Sequence, residues 1–322
     1  MKTMVEVGCA GILVADTLCG PVAALPRPGQ LLTVEDIPSK SGGCAANVAI
    51  DLARQKIAAK VVGCVGRDAA AQVPLAALRA HGVDCEGVVE SDRLPTSKTV
   101  ILLVKGEDRR FIHAFGANAD LTVAHIRREW LTGLRVFYLG GLFVLPGIQT
   151  GELIDLLGFC RSSGIVSVVT VAAPQPFQQH DDLARLLPVI DYFLPNDDEA
   201  RLFTGKDDPV EQAAALAEAG AKTAIVTCGG RGALAARGRQ RWRCGAYDMA
   251  VIDPSGCGDA FAAGVVTAIV RGWDMPRLLC YAAALGASAI RAVGATEGVF
   301  RADEAEAFIA GRRLPMEEWR AD

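Results

Sequence analysis

The chain has 322 residues, of which 51% are hydrophobic and 22% charged, a balance that supplies a sizeable core and excludes disordered, collagen-like and coiled-coil classes. Thirty-three basic side chains stand against thirty-seven acidic ones, a formal charge of -4, so no broad cationic surface exists to neutralise a nucleic-acid backbone. The longest apolar stretches, around residues 136–146 and 261–270, fall well short of the ~20 residues a membrane helix needs.

At the start of the chain, Lys2 followed by the apolar run 7–15 has the outline of a signal peptide. Glu6 and Asp16 bracket that run and no small-residue cleavage site follows it, so it is predicted to be a buried first strand. Core strands are predicted at 5–7, 59–65, 136–139, 166–171, 192–194 and 223–227, with helices at 45–55, 69–80, 149–163, 210–219, 260–271 and 276–291. Val/Ile-rich runs alternating with Ala/Leu-rich helical periods are the pattern of an α/β fold: a doubly wound, mostly parallel sheet with helices on both faces. Two stretches break the rhythm. Residues 17–38 carry four prolines and two glycines, and residues 95–115 read as a hairpin whose strands, 99–104 and 110–115, are joined by the polar turn 105–109. Hairpin strands do not easily join a parallel sheet, so both stretches are expected to be inserted lid segments of one domain spanning 1–322. The ten cysteines, scattered singly from Cys9 to Cys280, fit reduced thiols of a cytoplasmic protein and suggest neither a zinc site nor a disulfide framework.

Three short motifs could carry chemistry. In Asp253-Pro254-Ser255-Gly256-Cys257-Gly258-Asp259, two glycines before a helix let several backbone N–H groups converge where the helix dipole is positive, an anion cradle. Asp259 would repel a phosphate there, but it suits a base that takes a proton from an attacking hydroxyl; equally, it is a residue type that caps helices. In Ser41-Gly42-Gly43-Cys44-Ala45-Ala46-Asn47, paired glycines open a helix whose first turn presents an amide able to donate to and accept from a hydroxylated ligand; a tight packing loop is the competing reading. Asn196-Asp197-Asp198-Glu199 follows a strand, at the end where open α/β sheets bind ligands. Its oxygens suit hydrated Mg²⁺, although an acidic first helical turn has the same composition. Gly229, Gly230 and Gly232 after the strand at 223–227 would line a nucleotide or simply form a turn.

Taken together, Gly42-Gly43-x-x-x-Asn47, Asn196-x-x-Glu199 and Asp253-x-x-Gly256-x-Gly258-Asp259 resemble, in order and spacing, the signatures of the ribokinase-like (PfkB) carbohydrate kinases. Gly11-x-x-x-x-Asp16, Val62-Gly63-x-Val65-Gly66-x-Asp68, Gly116-Ala117-Asn118 and Leu202-Phe203-Thr204-Gly205 extend the resemblance over nearly the whole chain. It implies ATP-dependent transfer of the γ-phosphoryl group to a hydroxyl of a sugar or nucleoside. By the same resemblance, Asp259 is the catalytic base, and Gly256, Cys257 and Gly258 form an anion hole. Asp16, Gly42, Gly43 and Asn47 bind the acceptor. Asn196, Thr227, Gly229 and Gly232 serve the nucleotide, and Glu199 holds Mg²⁺ through water. Some members bind a monovalent cation such as K⁺ near the positions of Asp253 and 292–295, and many pair as homodimers through the lid.

There are departures from the pattern. Pro254 stands where Thr or Ser is usual, and Cys257 where Ala is; neither removes a cradle N–H. Thr170 replaces a frequent Asp. Val14 and Gly140-Gly141 replace ribose ligands, and Cys44 replaces the Lys of phosphofructokinase-type members, which turns the expectation away from ribose and from phosphorylated sugars. A nucleoside kinase of the same fold and a non-catalytic sugar-binding regulator are the alternatives.

Overall fold

The computed structural model describes residues 5–107 and 109–321; Lys2 and Asp108, the latter in the predicted hairpin turn, lie outside them. The first strand, β1 (Val7–Gly11), is buried at every position because parallel strands flank it on both sides. It begins where the 5–7 prediction ends, and the apolar run 7–15 is not one strand. After Gly11 (φ +139°) the chain leaves the sheet, and Val14 opens β2 (Val14–Val22) in a second sheet.

Next come β3 (Ser39–Gly42), α1 (Cys44–Arg54), β4 (Ala59–Gly66), α2 (Gln72–Ala80), β5 (Asp84–Ser91), β6 (Lys98–Val104) and β7 (Arg110–Ala114). The chain continues through α3 (Arg128–Leu131), β8 (Val136–Leu142), α4 (Thr150–Ser162), β9 (Val166–Val171), α5 (His180–Leu186), β10 (Tyr192–Leu194), α6 (Asp197–Thr204) and α7 (Pro209–Glu218). Last are β11 (Thr223–Thr227), β12 (Ala233–Arg237), β13 (Gln240–Cys244), α8 (Cys257–Arg271), α9 (Met275–Ala289), α10 (Ala302–Ala310) and β14 (Met316–Arg320).

Among the described residues the large sheet has the order β14-β13-β12-β11-β10-β9-β8-β1-β4-β5. From β11 to β5 every neighbouring pair is parallel, and β12, β13 and β14 add an antiparallel edge. One core packs α1, α2, α8 and α9 against one face, and a second packs α4, α5 and α7 against the other. The connections turn in opposite directions from β1, towards β4 on one side and β8 on the other, which opens a crevice beyond the C-terminal ends of β1 and β8.

The small sheet has the order β3-β2-β6-β7, so the β6–β7 hairpin is only half of it. The other half comes from 14–22 and 39–42, while 23–38 contains no strand. β2 pairs parallel to β6, which a hairpin prediction from local sequence could not supply. The helix predicted at 260–271 starts three residues earlier, at Cys257, and this brings Gly258 and Asp259 into its first turn. No helix among the described residues is long and apolar enough to cross a membrane.

Candidate active site

The start of α8 is set by its neighbours rather than by propensity, since Gly-Cys-Gly is a poor helical opening. Gly256 is the N-cap with φ +75°, and a Cβ on it would collide with the Ala295 backbone. Asp253, 0% exposed, fixes the approach: Oδ1 accepts from Ser255 N at 2.9 Å and Oδ2 from Gly294 N at 2.8 Å. The N–H groups of the first turn then have no intrahelical acceptor and face the crevice with the positive end of the dipole.

Asp259 stands in that turn, partly open to the cleft. Asn47 Nδ2, from the first turn of α1, donates to its Oδ2 at 2.8 Å. Burial raises the Asp259 carboxyl above its ordinary range, while hydrogen bonds from Asn47 and the Cys44 thiol and the positive charge of Arg109 pull it back down. These opposing effects keep a desolvated carboxylate ionisable, which a general base needs.

The lid contributes a cross-strand row. Asp16 of β2 is registered against Lys40 of β3 and Thr99 of β6, and Thr99 against His113 of β7. Thr99 Oγ1 lies 3.0 Å from His113 Nδ1. The Asp16 carboxyl is pushed up to about 6, chiefly by burial; the Thr99 hydroxyl lowers it, and the charges of Asp259 and Asp253 add to the rise. Gly42 is needed because a Cβ there would overlap the Asp16 carboxylate, and Gly43, with φ +92°, because one would strike the Ile12 carbonyl. Asp16, Gly42, Gly43, Asn47 and Asp259 therefore form one compartment. Lys40 reaches out of the lid to the Val293 carbonyl at 2.8 Å and Glu297 at 2.9 Å, tying β3 to the loop that supports Gly256.

On the other side of Asp259 lies a largely apolar cavity of about 490 Å³, lined by Thr227, Gly229, Gly232, Met249, Cys257 and Gly258 among others. A Cβ built on Gly229, Gly230 or Gly258 would meet no atom within 4 Å, so the backbone is bare where a ligand would approach. Gly232 has a second reason to be glycine: a Cβ would strike the Cys244 carbonyl. Asn196 joins this side through a bridge to Thr227.

Asn196 and Glu199 form a capping box at the start of α6: Asn196 Oδ1 accepts from Glu199 N at 2.8 Å, and Glu199 Oε2 accepts from Asn196 N at 2.9 Å. The helix-start reading of this motif is thus correct locally. Glu199 nonetheless stays close enough to Cys44 to act on its thiol, and burial pushes its carboxyl up to about 7.

Strand alternation, legible in the sequence, sets Phe111, His113 and Phe115 on one face; pairing of β6 with β2 makes it the Asp16 face, and Arg109 keeps that parity. Arg109 lies 5.3 Å over the Phe111 ring, and its charge lowers both Asp259 and Cys257. Arg110 instead pairs with Glu107 on an exposed edge. The far wall of the cavity, including Tyr247, Ala283, Ala287 and Ile290, had no motif to announce it. Thr170, a departure from the family's frequent Asp, bonds the buried Tyr138 hydroxyl at 2.7 Å, forming a hydroxyl pair at the end of β9.

The family described as "pfkB family carbohydrate kinase" matches residues 6–301. The chain is similar to the ribokinase of Haemophilus influenzae, 25% identical over 291 residues that cover 88% of this chain and 92% of that one. It is also similar to the adenosine kinase of Saccharomyces cerevisiae, 25% identical over 290 residues that cover 82% of each. In fold it resembles a structure described as a ribokinase II from E. coli in complex with ATP and Mg²⁺, with a TM-score of 0.81, 22% identity, and coverage of 96% of this chain and 100% of that one.

Proposed function

Because the chain belongs to the pfkB family of carbohydrate kinases, phosphotransferases with an alcohol acceptor, we propose that it is an ATP-dependent cytoplasmic kinase that phosphorylates a hydroxyl of a neutral, unphosphorylated sugar. One observation supports this above the rest. Asp259 stands between two compartments, a lid side with Asp16 and Asn47 and a cavity side that ends at Gly258.

In this reading Asp259 takes the proton of the attacking hydroxyl while Asn47 fixes its carboxylate. The N–H groups of Gly256, Cys257 and Gly258 stabilise charge on the transferred group. Asp16, an acceptor when ionised, receives hydrogen bonds from sugar hydroxyls. The cavity, with its bare glycine backbone, suits a nucleotide; Asn196, Thr227, Gly229 and Gly232 would hold its phosphates. ATP supplies the phosphoryl group, and Mg²⁺ neutralises phosphate charge. Glu199, a half-buried carboxylate at the start of α6, would act on Mg²⁺ through water. Asp253 already accepts two backbone N–H groups, and Lys40 occupies the Val293 carbonyl, so no step is assigned to K⁺. The chain as one unit with a lid, and pairing of two copies through the lid's outer face, where Val100 and Ile112 are 38% and 65% exposed, belong to the same proposal; light scattering that finds only monomers would remove the pairing.

A nucleoside acceptor is the second reading. It is favoured by Phe111 and Phe115, 54% and 47% exposed, on the lid face that carries Asp16. The test is ATP consumption with Mg²⁺ over ribose, fructose, fructose 6-phosphate, adenosine and 2-dehydro-3-deoxygluconate. Turnover of neutral sugars supports the first reading, turnover of adenosine alone the second. No turnover with any of them leaves a binding protein.

On the favoured acceptor, Asp16→Ala is expected to raise the acceptor KM by about tenfold or more through loss of charge-assisted hydrogen bonds, with the ATP KM little changed. Arg109→Ala should lower kcat more than KM, because its charge sits beside Asp259 and Cys257. If Asp16→Ala is silent and Arg109→Ala abolishes activity on the sugar acid alone, the acceptor is an anion.

With its carboxyl at about 7, Glu199 should lose charge as pH falls from 8 to 6. The Mg²⁺ concentration for half-maximal rate is therefore expected to rise as pH falls, because protons and metal compete for the carboxylate. In Glu199→Gln this dependence should flatten towards that of ATP itself. Identical curves for the two proteins would confine Glu199 to its capping role.

A further inference from the structure

The Asn47 amide that holds Asp259 is itself held at one end only. Nδ2 donates to Asp259 Oδ2 at 2.8 Å, whereas Oδ1 is buried with no partner among the described residues. One turn further along the same face of α1, Asp51 is 0% exposed and neither carboxyl oxygen has a partner among the described residues. On the next turn, Arg54 Nη1 donates to the Val299 carbonyl at 3.0 Å while its Nε is buried with no partner among the described residues. A line of orphaned polar groups thus starts at Asp259 and follows α1, which packs against α8. An ionised, unpartnered carboxylate at this depth would be strongly destabilising. A neutral acid bonded to water would not, and a buried water needs two to four polar partners. Asn47 Oδ1 and the Asp51 carboxyl, i and i+4 neighbours on one face of α1, supply two.

We propose that Asp51 is a positioning residue for Asp259: as a neutral acid it donates, through one buried water, to Asn47 Oδ1 and so fixes the amide whose other end bonds the base. The proposal rests on the reading of Asp259 as general base. The charged groups facing Asp51 are Asp259 on α8, Arg54 on its own helix and Glu297 in the loop after α9, the last paired with Lys40 of β3. Burial, with the charges of Asp259 and Glu297, holds the Asp51 carboxyl well above its usual range against the pull of Arg54, in keeping with a neutral group.

The experiment compares pH profiles of kcat/KM for wild type, Asp51→Leu and Asp51→Asn, each also in an Asn47→Ala background, using the acceptor from the panel above that turns over fastest. Asp51→Leu is expected to lower kcat about tenfold and to move the acid limb to higher pH, because Asp259 loses a hydrogen bond that favours its charged form. Asp51→Asn, which keeps a neutral donor, is expected to recover most of the rate and return the limb to its wild-type position. With Asn47 removed, Asp51→Leu should cost less than about twofold, since the two act as a unit. The proposal is overturned if Asp51→Asn moves the acid limb to lower pH, which would reveal an ionised Asp51, or if Asp51→Leu costs as much without Asn47 as with it. Circular dichroism identifies a Leu variant that fails to fold, in which case the Asn variant decides. Failure of the base assignment shows separately, as full turnover in Asp259→Asn.

Discussion

Asp259→Asn is expected to lower kcat by about 10²- to 10⁴-fold, the usual cost of removing a general base, while ATP affinity stays within a factor of about two. The amide has nearly the carboxylate's shape, so Asn47 and the first turn of α8 keep their places and the cavity side is unchanged. Only the capacity to take the hydroxyl proton is lost. Asp259, raised by burial and lowered by Asn47, Cys44 and Arg109, contributes to the acid limb of the wild-type profile together with Asp16 and Glu199, and its contribution should be lost from whatever activity the variant retains. Steady-state kinetics with nucleotide binding by calorimetry separates the two effects. An Asn variant that binds ATP poorly but turns over normally would place Asp259 in the phosphate site.

Gly256→Ala and Gly258→Ala should part company in stability and agree in activity. At Gly256 a Cβ collides with the Ala295 backbone and φ is +75°, so the 294–296 loop or the helix start must move; a loss of about 2–4 kcal/mol is expected from strain and displaced packing. Gly258 is helical and a Cβ there meets no atom within 4 Å, so Ala should stabilise the unliganded protein by roughly 0.5–1 kcal/mol. Both should cut turnover by about tenfold or more, the first by displacing the N–H cradle, the second by placing a methyl group where phosphate approaches. Denaturant melts and kcat on the same preparations check the pair. A Gly258→Ala protein with wild-type turnover would show that no ligand uses that surface.

The parts of this molecule that were legible in its sequence are those with a local cause. Gly256, Gly258 and Asp259 announce a helix start because glycine tolerates the φ and the bare backbone such a start demands, and strands such as Val166–Val171 are valine-rich and buried from Ser167 onward because helices cover both faces. What escaped depends on partners distant in sequence. Met316–Arg320, with three charged residues in five, has the composition of a surface segment, and becomes β14 by pairing with β13, where Arg243 meets Glu317 and stacks over Trp319. The lid sheet was half seen because β2 finds β6 across eighty residues of chain. Arg109 lies in the predicted turn 105–109, where composition does not show which face of the lid it joins, and Asp51 lies inside the predicted helix 45–55, whose pattern does not show that this polar residue is fully buried.

Phosphorus-31 NMR of the wild-type protein with ATP, Mg²⁺ and the acceptor panel, run beside Asp259→Asn, tests the central claim most directly. The account predicts ADP together with a new phosphomonoester resonance for a neutral sugar, formed by the wild type and at least a hundredfold more slowly by the variant, as removal of a general base requires. ADP accompanied by inorganic phosphate alone, or the same phosphomonoester at the same rate from both proteins, would contradict it.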